Sequence, residues 1–486
     1  MTDPCVCFAF EVHQPFRLNE AIRSSNPGKG ISFESWLFSP SNRDYCTRIA
    51  AQCYIPATEL LLESLDRDFR CALSFSGTLI EQLERWSPDA LDLFSQAAAH
   101  RNTEVLGQTY YHSLAGLFEN HEEFAAEIRH HRQLMEDLFC ETPSVFENTE
   151  LILDERIART AADLGFDAIY TEGADRVLGG RSPNFVYSTA GIPTLLRHGR
   201  LSDDIAFRFS DRTWDEWPLT AATYACWLAA TPGDCTHVFL DYESFGEHHW
   251  TETGILDFFE GLPAACEEQG VECALPAEVA LLDPVGELSI QYPLSWADRE
   301  KDVSAWLGNR MQKSAFCSIQ EIVALRPEDP LHRYFLTSDH FYYFSTKNGS
   351  CGYVHEYFNP QDTAEDAFSL YMHAVAAYFR RITALRKSRT AARGLRIVPP
   401  EEAFHFRDAD GQYITSAHCL AEFADALSWV PAGALCSHAE RGDFARWAEH
   451  VLGDVKLADE IEGCTERLSL CGAVNARRDA LWKRLK

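Results

Sequence analysis

Short apolar runs of strand length recur through the first half of the chain, separated by stretches whose apolar residues return at helical spacing. Seven strands are predicted, at 6–13, 70–76, 104–111, 144–150, 168–171, 205–209 and 237–241. Helical segments at 80–100, 122–140, 154–164 and 219–230 lie between them. Strands that alternate with helices build parallel sheets, so the pattern predicts a seven-stranded parallel β/α barrel, closed or nearly so. From about Asp302 the pattern turns helical, with long segments at 304–325 and 364–387. Pro399-Pro400 then punctuates the chain before a run of amphipathic helices of mixed charge. The expected division is a catalytic barrel at 1–300, a helical domain packed on it at 301–392, and a small helical C-terminal module at 393–486.

Polar clusters fall where the predicted strands end. The first strand runs into His13-Gln14-Pro15, the third into Tyr110-Tyr111-His112, the fourth into Thr149-Glu150 and the seventh into Asp241-Tyr242-Glu243. In β/α barrels that rim is both rigidly held and open to ligand, so catalytic groups gather there. Packing alone does not explain polar groups at four strand ends.

Composition narrows the ligand. The apolar share of 46% and aromatic share of 12%, with 31 Phe, 17 Tyr and 11 Trp, are those of a globular chain rich in ring surface. Asp and Glu outnumber Lys and Arg by 73 to 43, a formal charge of −30 that repels nucleic acid and anionic membranes. A neutral substrate fits better. The Met1-Thr-Asp-Pro-Cys start has no basic, apolar leader, and no run approaches the roughly 18 apolar residues of a membrane span. A soluble, cytoplasmic protein is expected, its oligomeric state unread. The 16 Cys are scattered, Cys5 and Cys7 alternate in an apolar run, and no CxxC occurs. They read as reduced core residues, with no metal site and no cofactor expected.

Glycoside cleavage needs two carboxyl groups about the scissile bond, and Glu150 and Asp241 present themselves as the pair. Glu150 follows a short strand in Phe146-Glu-Asn-Thr-Glu150. Asp241 follows a wholly apolar one in Val238-Phe-Leu-Asp241, with Gly246 permitting a tight turn beyond. Five short segments, in order, resemble the conserved regions of glycoside hydrolase family 57. They are His13-Gln14-Pro15, Gly107-Gln-Thr-Tyr-Tyr-His112, Glu147-Asn-Thr-Glu150, Asp241-Tyr-Glu-Ser-Phe-Gly-Glu-His248 and Thr337-Ser-Asp-His340. The resemblance runs from residue 1 to about 390, and its wording is similar to the intracellular archaeal α-amylase-type subgroup.

That resemblance implies a seven-stranded barrel followed by helices, with Glu150 as nucleophile and Asp241 as general acid/base. It also implies retention of anomeric configuration, with carboxyl carbons about 5 Å apart. Asp241 must then be protonated near neutrality, so its pKa should be raised by apolar surroundings and by ionised Glu150. The expected substrate is an α-1,4-glucan such as starch, glycogen or a maltooligosaccharide. His13, Gln14, Tyr111, His112, Glu243, His248, Trp250, Asp339 and His340 are the expected substrate-binding residues. Glu243 points away from Asp241 if the strand continues, and a turn would bring it back. His248 and His249 beside Glu247 lack the H-E-x-x-H spacing of a zinc pair. Trp214, Trp217, Trp250, Trp296 and Trp306 are candidate platforms for sugar rings, and Asp204 with Arg208 a candidate structural ion pair.

Three other readings stand beside hydrolysis. A 4-α-glucanotransferase or branching enzyme would hand the same covalent intermediate to a sugar hydroxyl. A non-catalytic amylase-like protein would bind glucan only, although both acids are retained. A metal-dependent polysaccharide deacetylase would lose activity with chelator.

Overall fold

The computed structural model describes residues 4–327, 329–384 and 386–485. Met1 to Asp3, Glu328, Leu385 and Lys486, which touch the predicted N-terminal start, the helix at 364–387 and the C-terminal module, lie outside the described residues. The chain forms two units, Met1–Phe16 with Pro40–Val303, and Arg17–Ser39 with Ser304–Lys486.

The first unit is built on a sheet whose strands are β1 (Cys5–Val12), β2 (Cys71–Phe75), β3 (Thr103–Val105), β4 (Val145–Glu147), β5 (Ala168–Glu172), β6 (Tyr187–Thr189), β7 (Ile192–Arg197), β8 (Thr236–Asp241) and β9 (Glu272–Cys273). Seven run in the order β3-β2-β1-β8-β7-β5-β4, every neighbouring pair parallel. β6 pairs antiparallel with β7, and β9 adds a short parallel rung to β1. The two ends of this order meet just beyond β3. The Gly107 amide donates to the Val145 carbonyl at 2.9 Å, and the Glu147 amide donates to the Gly107 carbonyl at 2.8 Å. Glycine is required at this seam, because a β-carbon there would lie 2.6 Å from the Phe166 ring. The sheet therefore curls into the expected seven-stranded barrel.

Period-2 alternation sorts each strand into two faces. On β1, Val6, Phe8, Phe10 and Val12 face outward to the helical layer, in one apolar cluster with Leu61, Leu79 and Phe259. Cys7 and Ala9 face the interior with Ala72, Val145, Ala168 and Leu195. Six of the seven predicted strands match in position; the one at 205–209 does not. Those residues finish the helix Gly199–Ala206 and the turn after it, and the seventh barrel strand is β7. In Ile192-Pro-Thr-Leu-Leu-Arg197 the proline weakens the strand pattern, yet Pro193 sits at the start of the strand, before pairing with β5 begins. Tyr110 and Tyr111 lie in a turn, not at the end of an extended β3.

In the second unit, Arg310–Ala324, Ala364–Thr383 and Arg467–Leu485 are the long helices, the second of them burying Phe368, Tyr371, Val375 and Phe379. Residues 17–39 belong to this unit. Phe33 packs on Tyr378 and Phe38 on Tyr334, with ring centroids 6.0 and 5.0 Å apart. Arg23 donates to Gln361 at 2.6 Å. The C-terminal part is mostly helical, but it opens with an antiparallel hairpin, β10 (Phe404–Arg407) and β11 (Tyr413–Ala417), that the periodicity did not predict. Among the described residues no helix is long and apolar enough to cross a membrane.

Candidate active site

The sheet lifts a group of acids to the C-terminal ends of its strands. Glu11 on β1 and Asp241 on β8 are register partners, both on the interior face. Glu147 ends β4, and Glu150 follows in the short 3-10 turn Thr149–Leu151. Glu150 sits at φ 60°, ψ 22°, and His112, which faces it, has φ 48°. A left-handed backbone at non-glycine residues costs about 1–3 kcal/mol each and persists only where the surroundings impose it. Here the two side chains meet at ion-pair distance.

His112 lies between two carboxyl groups. Its Nδ1 is 3.0 Å from Glu11 Oε1, and its Nε2 is 3.6 Å from Glu150 Oε1. Burial alone would lower the imidazole pKa, but Glu11 and Glu150 outweigh it and hold His112 well above its usual value, as the cation. The other Glu150 oxygen accepts the indole N–H of Trp296 at 2.7 Å. Both oxygens of Glu150 are thus oriented by donors. Trp296 is itself clamped, with Phe239 edge-on at 5.7 Å and the Arg197 guanidinium 5.5 Å from its ring. Arg197 is fully buried, donating to Glu172 at 2.9 Å, to Asp203 at 2.6 Å and to the Phe239 carbonyl at 2.7 Å.

Asp241 is half-buried at the end of β8, and its carboxyl is pushed well above the ordinary range by desolvation first and then by the charges of Glu11, Glu243 and Glu150, against an opposing pull from His112. It therefore carries a proton where an exposed aspartate would not. Glu243 turns back toward it through the 3-10 turn Tyr242–Ser244. Its Oε1 accepts the Tyr54 hydroxyl at 2.5 Å and the His13 amide at 3.2 Å, and burial raises its pKa to about 8. Beneath these acids Glu147 is raised by burial and by Glu11, and accepts the Ser74 hydroxyl at 2.8 Å.

His13 stacks on His112 with ring centroids 4.1 Å apart, and its Nδ1 is 2.7 Å from Ser76 Oγ. The Gln14 side chain bonds Tyr54, and the Gln14 backbone carbonyl accepts from Thr78 and Gln82. Tyr111 is buried against Tyr110 and His130, forming wall. His248 is desolvated, its pKa lowered to about 4, so it is neutral near pH 7. His249 is a packing residue, with Nδ1 on Ser210 and Nε2 on the Ile205 carbonyl. Trp250 is 68% exposed. Asp339 and His340 lie on the helix Ser338–Tyr343 of the second unit, where His340 packs beside Tyr343 and Tyr371. Trp306 is core of that unit, and Asp204 with Arg208 is an ion pair.

Two contributors escaped the sequence reading. Glu11 is an acid inside the apolar run Cys-Val-Cys-Phe-Ala-Phe-Glu-Val, a signal that was available. Trp296 was weighed only as a sugar platform, and nothing local to it announces a bond to a residue 146 positions away.

Carboxyls at the strand ends of a barrel, one with a raised pKa and one flanked by an imidazole and an indole, are the kind of groups that glycoside cleavage requires. The family model described as Glycosyl hydrolase family 57 matches residues 7–291, and the chain belongs to that family. It is a glycoside hydrolase. A protein of Methanocaldococcus jannaschii that carries the provisional name alpha-amylase is 42% identical over 388 residues, covering 76% of this chain and 82% of the relative. Among solved structures, the branching enzyme of Pyrococcus horikoshii aligns with TM-score 0.53 at 14% identity, over 78% of this chain and 92% of that one. The 4-alpha-glucanotransferase of Thermococcus litoralis aligns with TM-score 0.50 at 16% identity, over 79% of this chain. This chain spans only 59% of that protein's length.

Proposed function

We propose that the protein hydrolyses α-1,4-glucans with retention, using Glu150 as nucleophile and Asp241 as general acid/base. The observation that carries this reading is His112, held cationic between Glu11 and Glu150 while Glu11 and Glu150 both bear on Asp241. One histidine thereby orients Glu150 while Asp241 stays protonated. Glu150 attacks the anomeric carbon, the glycosidic C–O bond breaks, and the proton on Asp241 passes to the departing oxygen. Asp241, now a base, takes a proton from water as that water displaces Glu150, returning both acids to their starting states. His112 and the Trp296 N–H, 3.6 and 2.7 Å from the Glu150 oxygens, bind the carboxylate that leaves in this second step. His13, stacked on His112, borders the same place and is assigned to a sugar hydroxyl there. The name of the 42% identical relative supports the amylase direction.

The test is product stereochemistry with two variants. Proton NMR of maltooligosaccharide digests should show the α-anomer first. Asp241→Asn should lower kcat by about 10²–10⁴-fold on unactivated substrate. Glu150→Ala should be inactive, and azide, filling the place of the missing carboxylate, should restore turnover of an activated aryl glycoside as glycosyl azide. First appearance of the β-anomer would sink the mechanism. Redistribution of chain lengths without new reducing ends would replace water by a sugar acceptor.

A further inference from the structure

The two strands that carry Glu11 and Asp241 bear a second set of side chains at their other ends, which the proposed reaction leaves unused. Interior positions run Cys5, Cys7, Ala9, Glu11 along β1 and, just before and along β8, Cys235, His237, Phe239, Asp241; the register pairs Cys7 with His237. A strand rises about 3.3 Å per residue, so Cys7 lies roughly 13 Å below Glu11, away from the reacting groups. Cys7, Cys235 and His237 are buried, and their ligand atoms all lie within 4.8 Å of one another. Cys235 Sγ is 3.7 Å from Cys7 Sγ and 3.0 Å from Cys5 Sγ.

We propose that Cys5, Cys7, Cys235 and His237 form a structural site for a soft divalent cation, with zinc the best match. Zinc–thiolate bonds of about 2.3 Å in a tetrahedron place neighbouring sulfurs about 3.8 Å apart. The Cys7–Cys235 separation of 3.7 Å is that edge. Cys5 lies outside the compact group of three, and its Sγ, 3.0 Å from Cys235 Sγ, must rotate to supply the fourth bond. Three sulfurs and an imidazole are the donors that select zinc over magnesium or calcium. The tyrosine hydroxyl of Tyr170 is 2.9 Å from His237 Nδ1, an outer contact of the kind that fixes the tautomer and tilt of a ligating ring. Barrel interiors are otherwise filled by branched aliphatic side chains, and packing gives no reason for three thiols and a histidine to share one end. On binding, each thiol gives its proton to solvent as its metal–sulfur bond forms, with no change of oxidation state. The ion would tie β1 to β8 and take no part in catalysis.

Full-length protein, reduced and stripped by chelator, is titrated with zinc or cobalt(II). One metal per chain is expected, cobalt giving thiolate charge-transfer and tetrahedral d–d absorption. Tyr170→Phe keeps every ligand and should weaken affinity by about 10–100-fold. Cys7→Ser with Cys235→Ser should lose the metal. Cys317→Ser should not, although Cys317, Cys419 and Glu422 are the other compact group of such side chains among the described residues. Should the double variant fail to fold, Tyr170→Phe and Cys5→Ser carry the comparison. The proposal is overturned by wild type that takes up no stoichiometric metal, by undiminished binding in the variants, or by a Cys5–Cys235 disulfide in the unreduced protein's intact mass.

Discussion

Glu150 meets an imidazole at ion-pair distance and accepts a hydrogen bond from a neutral indole, and the indole is the one that can be removed without unpairing a charge. Trp296→Phe keeps the ring between Phe239 and Arg197 but deletes the N–H donor. A hydrogen bond to a charged group is worth about 1.5–3 kcal/mol, so kcat should fall by about 10–100-fold with KM little changed. Steady-state kinetics on a maltooligosaccharide measure both. Glu243 acts on stability as well. Its folded pKa of about 8 stands above the ordinary 4.5 of a free glutamate, so below about pH 4.5 both folded and unfolded forms hold the proton. Between 4.5 and 8 the unfolded chain releases it first, and stability from this group is lost as pH rises. Glu243→Gln should flatten the dependence of the urea midpoint on pH across that window. An unchanged slope would place the effect elsewhere.

At the level of strands and turns, the site depends on two tight fits. Gly246, at φ +132°, would place a β-carbon 2.1 Å from the Gln52 carbonyl. Gly246→Ala must therefore displace the Tyr242–Ser244 turn that carries Glu243, and a loss of about 1–3 kcal/mol is expected by denaturant titration. Arg197 joins β7 to Glu172 on β5 and supports Trp296. Arg197→Leu leaves Glu172 buried without its main partner and should cost about 3–5 kcal/mol, read from the same titration. Most strands were legible because their apolar runs end in polar residues. β7 was hidden by Pro193, and the hairpin of β10 and β11 by Asp408-Ala-Asp-Gly411, whose turn joins strands too short to outweigh the helical pattern around them. The carboxyl pair was legible because Asp241 closes β8 and Glu150 follows β4 within a single turn. The His112 bridge was legible only as a position, since its partners come from β1 and β4. The thiol group was invisible for a similar reason: a Cys-x-Cys and a Cys-x-His spaced 228 residues apart become neighbours only through the register of β1 with β8.

On the scale of the whole molecule, the chain leaves its first unit after Phe16, contributes residues 17–39 to the second, and returns at Pro40. A chain ended at Val303 would retain that excursion without its companions, exposing Phe33, Trp36, Leu37 and Phe38, all buried in the intact protein. It should aggregate or be cleaved within 17–39 under limited proteolysis, while the full chain resists there. The same threading sets a timetable during biosynthesis. Phe33 and Phe38 leave the ribosome early, yet Tyr334 and Tyr378 follow about 300 residues later, a delay of roughly 15–60 s at ordinary elongation rates. The stretch beside the first catalytic strand is thus among the earliest made and among the last to find its place, and a nascent-chain chaperone would meet the protein there.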